Sequence, residues 1–85
     1  MTTVSVNNNT LELHFADFIT AGYGHKKVTV ELFFNGEYKK FSAITTRVDL
    51  TDDASELEGD ERYAALYDII SGYIEDEVIE WMELN

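Results

Sequence analysis

No cysteine and no proline occur among the 85 residues, and bases are scarce, with six Lys and Arg against 17 Asp and Glu. Without cysteine there is no disulfide framework and no thiolate metal site, and the chain suits a reducing compartment, so a cytoplasmic protein is expected. Long apolar runs are missing too. The longest, Tyr63 to Tyr67, is far too short to span a bilayer, and the first residues lack the charged and apolar regions of a signal peptide. A membrane partner is not expected.

What is present suits a folded chain. Hydrophobic residues make up 45% and charged residues 27%, the range of ordinary globular domains. A chain of this length supports one thin core and a stability of only a few kcal/mol, so one domain over 1–85 is expected. The net charge is −11 and is unevenly distributed. Residues 1–48 hold four acids and five bases, whereas residues 49–85 hold thirteen acids and Arg62 alone. Such a field repels nucleic acid and anionic lipid and speeds encounter with a basic partner.

Periodicity divides the chain near Asp49. Thr2 to Val6 alternates, Asn7-Asn8-Asn9 tolerates turn conformations, and Leu11, Leu13 and Phe15 resume the alternation, which predicts a hairpin. Ala21 to His25 reads as a loop by its glycines. Beyond it Val28, Val30, Leu32 and Phe34 alternate up to Asn35-Gly36, the pair a type I′ turn needs because both central residues take positive φ. A two-residue turn sets the register: Phe33 faces Tyr38, Glu31 faces Lys40 and Val30 faces Phe41. Val28, Val30, Leu32, Phe41 and Ala43 then share the core face.

From Asp60 to about Glu83 the period becomes 3.6. Tyr63, Leu66, Tyr67, Ile70, Tyr73, Ile74, Val78 and Trp81 form one apolar stripe. Ser55 with Glu58 is a capping box, and Asp60 follows Gly59, so a short turn or helix at 52–58 is expected before a main helix at 60–83. The predicted fold is α+β: a four-stranded antiparallel β-meander of two hairpins over 1–48, packed against one long C-terminal amphipathic helix. The order of the strands stays open, because a loop at 20–26 permits either neighbour.

Several residue groups are candidates for function. Glu61, Asp68, Glu75, Asp76, Glu80 and Glu83 point away from the stripe, and Ile69 and Ile79 project among them. Acids seven apart on a helix are separated by ~10.5 Å, near three phosphate steps of ~3.4 Å, so this face can imitate a nucleic-acid backbone. The ordinary role of such a face is solvation. Phe33 and Tyr38, with Phe18 and Ile19 nearby, would make an apolar interface on the sheet face away from the helix, suited to a homodimer. Tyr23 and His25 form a candidate contact loop, and Gly22 to Lys27 is a basic, glycine-bearing stretch that could hold a phosphate.

Residues 49–60 are rich in oxygen ligands but carry Ala54 and Asp60 where an EF-hand needs glycine and glutamate. No metal and no cofactor is therefore assigned. Catalytic groups are sparse: two histidines, no cysteine, and serines outside any elbow or triad context. His14 lies on the outward phase of its strand. Glu77 falls among Ile70, Tyr73, Ile74 and Trp81, where burial would raise a carboxyl pKa. No catalytic residue is assigned.

The expected function is that of a non-catalytic acidic binding protein, an inhibitor or nucleic-acid mimic that engages a basic surface of a partner protein. The alternative is a small accessory module or homodimer that uses apolar patches. In composition rather than in motifs, the chain resembles small phage and mobile-element proteins that block nucleic-acid-binding enzymes.

Overall fold

The structure is a computed structural model that describes residues 2–22, 24–45 and 56–85, the side chain of Asp60 excepted. Strands β1 (Thr2–Val6), β2 (Asn9–Gly22), β3 (His25–Phe34) and β4 (Glu37–Thr45) precede one helix, α1 (Gly59–Leu84). The strands form an antiparallel sheet in the order β1-β2-β3-β4, and α1 packs across all four. This is the predicted meander covered by a helix.

The turns are made by the residues that tolerate positive φ. Asn7 and Asn8 (φ 51 and 66) reverse the chain between β1 and β2, and Asn35 and Gly36 (φ 52 and 85) do so between β3 and β4. The second register is the predicted one, with Phe33 opposite Tyr38, Glu31 opposite Lys40 and Val30 opposite Phe41. The expected loop at 20–26 is a tight hairpin instead. Pairing runs through Thr20–Lys26 to Gly22–His25, because Gly22 and Gly24 (φ 90 and 78) allow the chain to reverse within the turn. That tightness settles the strand order.

A second departure lies in β2. Leu13 pairs with Leu32 and Phe15 with Glu31, so His14 is an extra residue, a β-bulge. After it the alternation changes phase: Ala16 and Phe18 face the helix, and Phe15 turns outward. Phe18 is therefore not part of an outer aromatic patch. It packs against the core beneath the guanidinium of Arg62, 5.2 Å from its ring centre.

The core is formed by Leu11, Leu32, Val28 and Val30 of the sheet against Leu66, Ile70, Ile74 and Val78 of α1. Trp81 closes one end, with Phe34 and Phe41 edge-on at 6.1 and 5.7 Å. Burying eight such side chains at ~1.5–3 kcal/mol each is the main force holding helix to sheet. The helix begins after Glu58, whose side chain makes no capping bond; Ser55 and most of the expected 52–58 turn lie outside the described residues. At the other end the backbone N–H of Asn85 donates to Met82 O, and the Asn35 amide donates to Asn85 O (3.1 Å), tying the β3–β4 turn to the helix. Among the described residues no helix is long and apolar enough to cross a membrane.

Candidate functional site

Two large surfaces face away from the core, the outer side of α1 and the outer side of the sheet. On α1 the buried residues include the four-residue row Leu66, Ile70, Ile74, Val78, Met82, flanked by Tyr67, Ile69 and Trp81. Residues four apart form a ridge inclined to the helix axis by about 26°, so the covered stripe drifts around the helix from one end to the other. Two assignments change as a result. Ile69 is only 6% exposed and Ile79 is half-buried against the core, so neither projects among the acids. Conversely Tyr73 (52% exposed) and Glu77 leave the stripe and stand in solvent. Met82 at the end of the four-residue row was the sequence signal for this drift.

Glu61, Asp68, Glu75, Asp76, Glu80 and Glu83 are all exposed, as expected, and Gly72 lies among them without a side chain. Arg62 is the one base of the helix, and it leans the other way, toward Asp17 of β2 (3.9 Å) and the ring of Phe18. The outer face of α1 is thus acidic throughout. Its field reaches inward: burial, then the charges of Glu75 and Asp68, push the Tyr67 phenol up to about 12. Among the described residues the Tyr67 hydroxyl is buried with no hydrogen-bond partner.

The outer face of the sheet has a different chemistry. The pairing registers place its side chains in four rows across β2, β3 and β4: Ile19–Lys27–Ile44, Asp17–Thr29–Ser42, Phe15–Glu31–Lys40 and Glu12–Phe33–Tyr38. The bulged His14 joins the fourth row, its ring edge-on to Phe33 and Tyr38 (centroids 5.5 and 4.8 Å) and its Nε2 2.9 Å from Glu12 Oε2. Phe33 and Tyr38 also touch, at 4.8 Å, so the expected aromatic pair is a three-ring cluster. Lys40 lies 5.8 Å over Phe15. Thr29 and Ser42, hydrogen-bonded at 3.2 Å, are short side chains between taller rows. They floor an open trough of about 260 Å³, walled by Ile19 and Lys27 on one side and Phe15 and Lys40 on the other.

The remaining candidates do not converge. His25 is the first residue of β3 and half-buried, not a loop tip, and Tyr23 lies outside the described residues. Lys26 and Lys27 belong to a strand and point to opposite faces, Lys26 over Phe18 (5.6 Å) and Lys27 outward, so they do not form one anion site. The acid-rich segment 49–60 falls largely outside the described residues. Sequence reasoning missed His14 as the ring partner of Phe33 and Tyr38, and Phe15 and Ile44 as further exposed apolar residues of this face; the step of three from Leu13 to Ala16 was the available sign of the bulge.

No protein-family model, curated protein or solved structure matches this chain.

Proposed function

We propose that the protein is a non-catalytic binding protein whose acidic helix face engages a basic surface of a partner protein, in the manner of an inhibitor or nucleic-acid mimic. The observation that carries this reading is the outer face of α1, where Glu61, Asp68, Glu75, Asp76, Glu80 and Glu83 stand exposed with no base among them. Over this length the acids span about 33 Å, or roughly ten phosphate steps. Attraction at that range is electrostatic and therefore sensitive to salt. The cysteine-free chain fits action in the cytoplasm, and the composition fits a phage or mobile-element inhibitor.

The test is affinity capture of partners by the wild-type chain and by Asp68→Lys, Glu75→Lys, at low and high salt. A nucleic-acid-binding protein held by wild type alone and released by salt supports the reading. Capture that ignores both the charge reversal and the salt defeats it.

A second reading is an accessory module that works by apolar contact, and the cluster of His14, Phe33 and Tyr38 on the bare side of the sheet favours it. Binding of that kind persists in high salt.

A further inference from the structure

We propose that two copies of the chain close on each other through the outer faces of their sheets, leaving both acidic helices on the outside of a symmetric dimer. The inference rests on the second reading above and names its partner. Its first support is the amount of apolar surface left bare on this face. Ile19, Ile44 (both 58% exposed), Tyr38 (55%) and Phe15 (38%) all project there, beside the half-buried Phe33. With principal extents of 36 by 23 Å across its broad faces, the molecule offers on the order of 800 Å² per side, the share one partner gives to a standard interface.

Charge selects the occupant. The charges on the outer face of α1 are all acidic and repel their own copy, whereas the sheet face mixes Lys27 and Lys40 with Glu12, Asp17 and Glu31. A face of mixed sign can meet itself if like charges are kept apart, and the rows show how. Place a two-fold axis parallel to the rows, between the Asp17–Thr29–Ser42 row and the Phe15–Glu31–Lys40 row. Each trough then receives the partner's Phe15–Glu31–Lys40 ridge. Glu31 meets the partner's Thr29, Lys40 the partner's Ser42, Asp17 the ring of the partner's Phe15 and Lys27 the ring of the partner's Phe33, while Ile44 meets the partner's Tyr38 and Ile19 the partner's Glu12. No charge faces its like. Because aligned sheets cross at about 30°, these are neighbourhoods rather than atom contacts. The contact is isologous, as a two-fold requires.

The test is the mass in solution of the full chain by sedimentation equilibrium across the micromolar range. Wild type is expected at twice 9.7 kDa. Ile19→Glu, Ile44→Glu, which sets an acid against the partner's Glu12, should, with unchanged far-ultraviolet circular dichroism, weaken dimerisation by roughly thirtyfold or more, the size of one interface hot spot. Asp68→Lys, Glu75→Lys on the helix should leave the mass unchanged. The register is checked in the cysteine-free background: Tyr38→Cys, Ile44→Cys should oxidise to a covalent dimer, and neither single variant should. A monomeric wild type overturns the proposal, as does a dimer indifferent to the isoleucine substitutions. If wild type is monomeric yet holds another protein that Ile19→Glu, Ile44→Glu loses, the dimer falls and the apolar-contact reading stands.

Discussion

The ring of His14 stands edge-on to that of Tyr38, centroids 4.8 Å apart at 77°, although β3 separates the strands that carry them. The contact exists because His14, outward by alternation from buried Leu13 and left unpaired by the bulge, lies over Phe33, which pairs with Tyr38 across the β3–β4 ladder. An edge-on pair of this kind contributes about 0.5–1.5 kcal/mol beyond area burial. A double-mutant cycle of His14→Ala and Tyr38→Ala, read by urea denaturation, should therefore show a coupling near ~0.5–1 kcal/mol. Strict additivity would mean the rings do not interact in solution.

The inclined ridge of α1 makes a paired prediction. Ile69→Ala should destabilise the fold by about 2–3 kcal/mol, because a side chain only 6% exposed is cut back in the core. Glu77→Ala should stay within about 0.5 kcal/mol, as for other solvent-facing substitutions. The reverse order of costs, measured by chemical denaturation, would restore the straight stripe that a 3.6-residue period suggests.

Tyr67 predicts a loss of stability in alkali. Its phenol is pushed up to about 12, by burial first and then by the charges of Glu75 and Asp68, against about 10 in the unfolded chain. The folded state thus holds the proton more tightly. Its contribution is complete below pH ~10 and is lost as pH rises from ~10 to ~12. Tyr67→Phe removes that loss, and it also removes a buried hydroxyl that lacks a partner among the described residues. The variant should equal or exceed wild type by up to about 1 kcal/mol at neutral pH, with the advantage growing by pH 11. Denaturation curves at neutral pH and pH 11 decide it: a shrinking advantage contradicts the assignment.

The Asn35-Gly36 turn is the local feature most open to attack. Gly36 holds φ 85 with open space around the missing Cβ, so Gly36→Ala meets backbone strain rather than a clash. The expected cost is about 1–2 kcal/mol. Asn35→Ala adds the loss of the hydrogen bond that the Asn35 side-chain amide donates to Asn85 O at the end of α1. Thermal melts should rank both below wild type, and a melting temperature unmoved by Gly36→Ala would show that the turn has changed type.

Much of this molecule was determined by the sequence alone. The Asn-Gly turn and the alternation around it dictated the β3–β4 register down to Glu31 opposite Lys40, because a two-residue turn leaves no freedom in the ladder. The change from a period of two to 3.6 marked the helix within a residue at either end, and the exposed acids from Glu61 to Glu83 followed from their phase. Tertiary structure decided the rest, for reasons of packing. Where α1 crosses the sheet sets which flank of the helix is covered, and this buries Ile69 and releases Tyr73 and Glu77. In β2 the bulge at His14 reverses the phase, which brings Ala16 and Phe18 to the helix. Periodicity assumes an unbroken pleat and a straight stripe, and the outer face of the sheet, with His14, Phe15, Phe33 and Tyr38 together, arises where the pleat is interrupted.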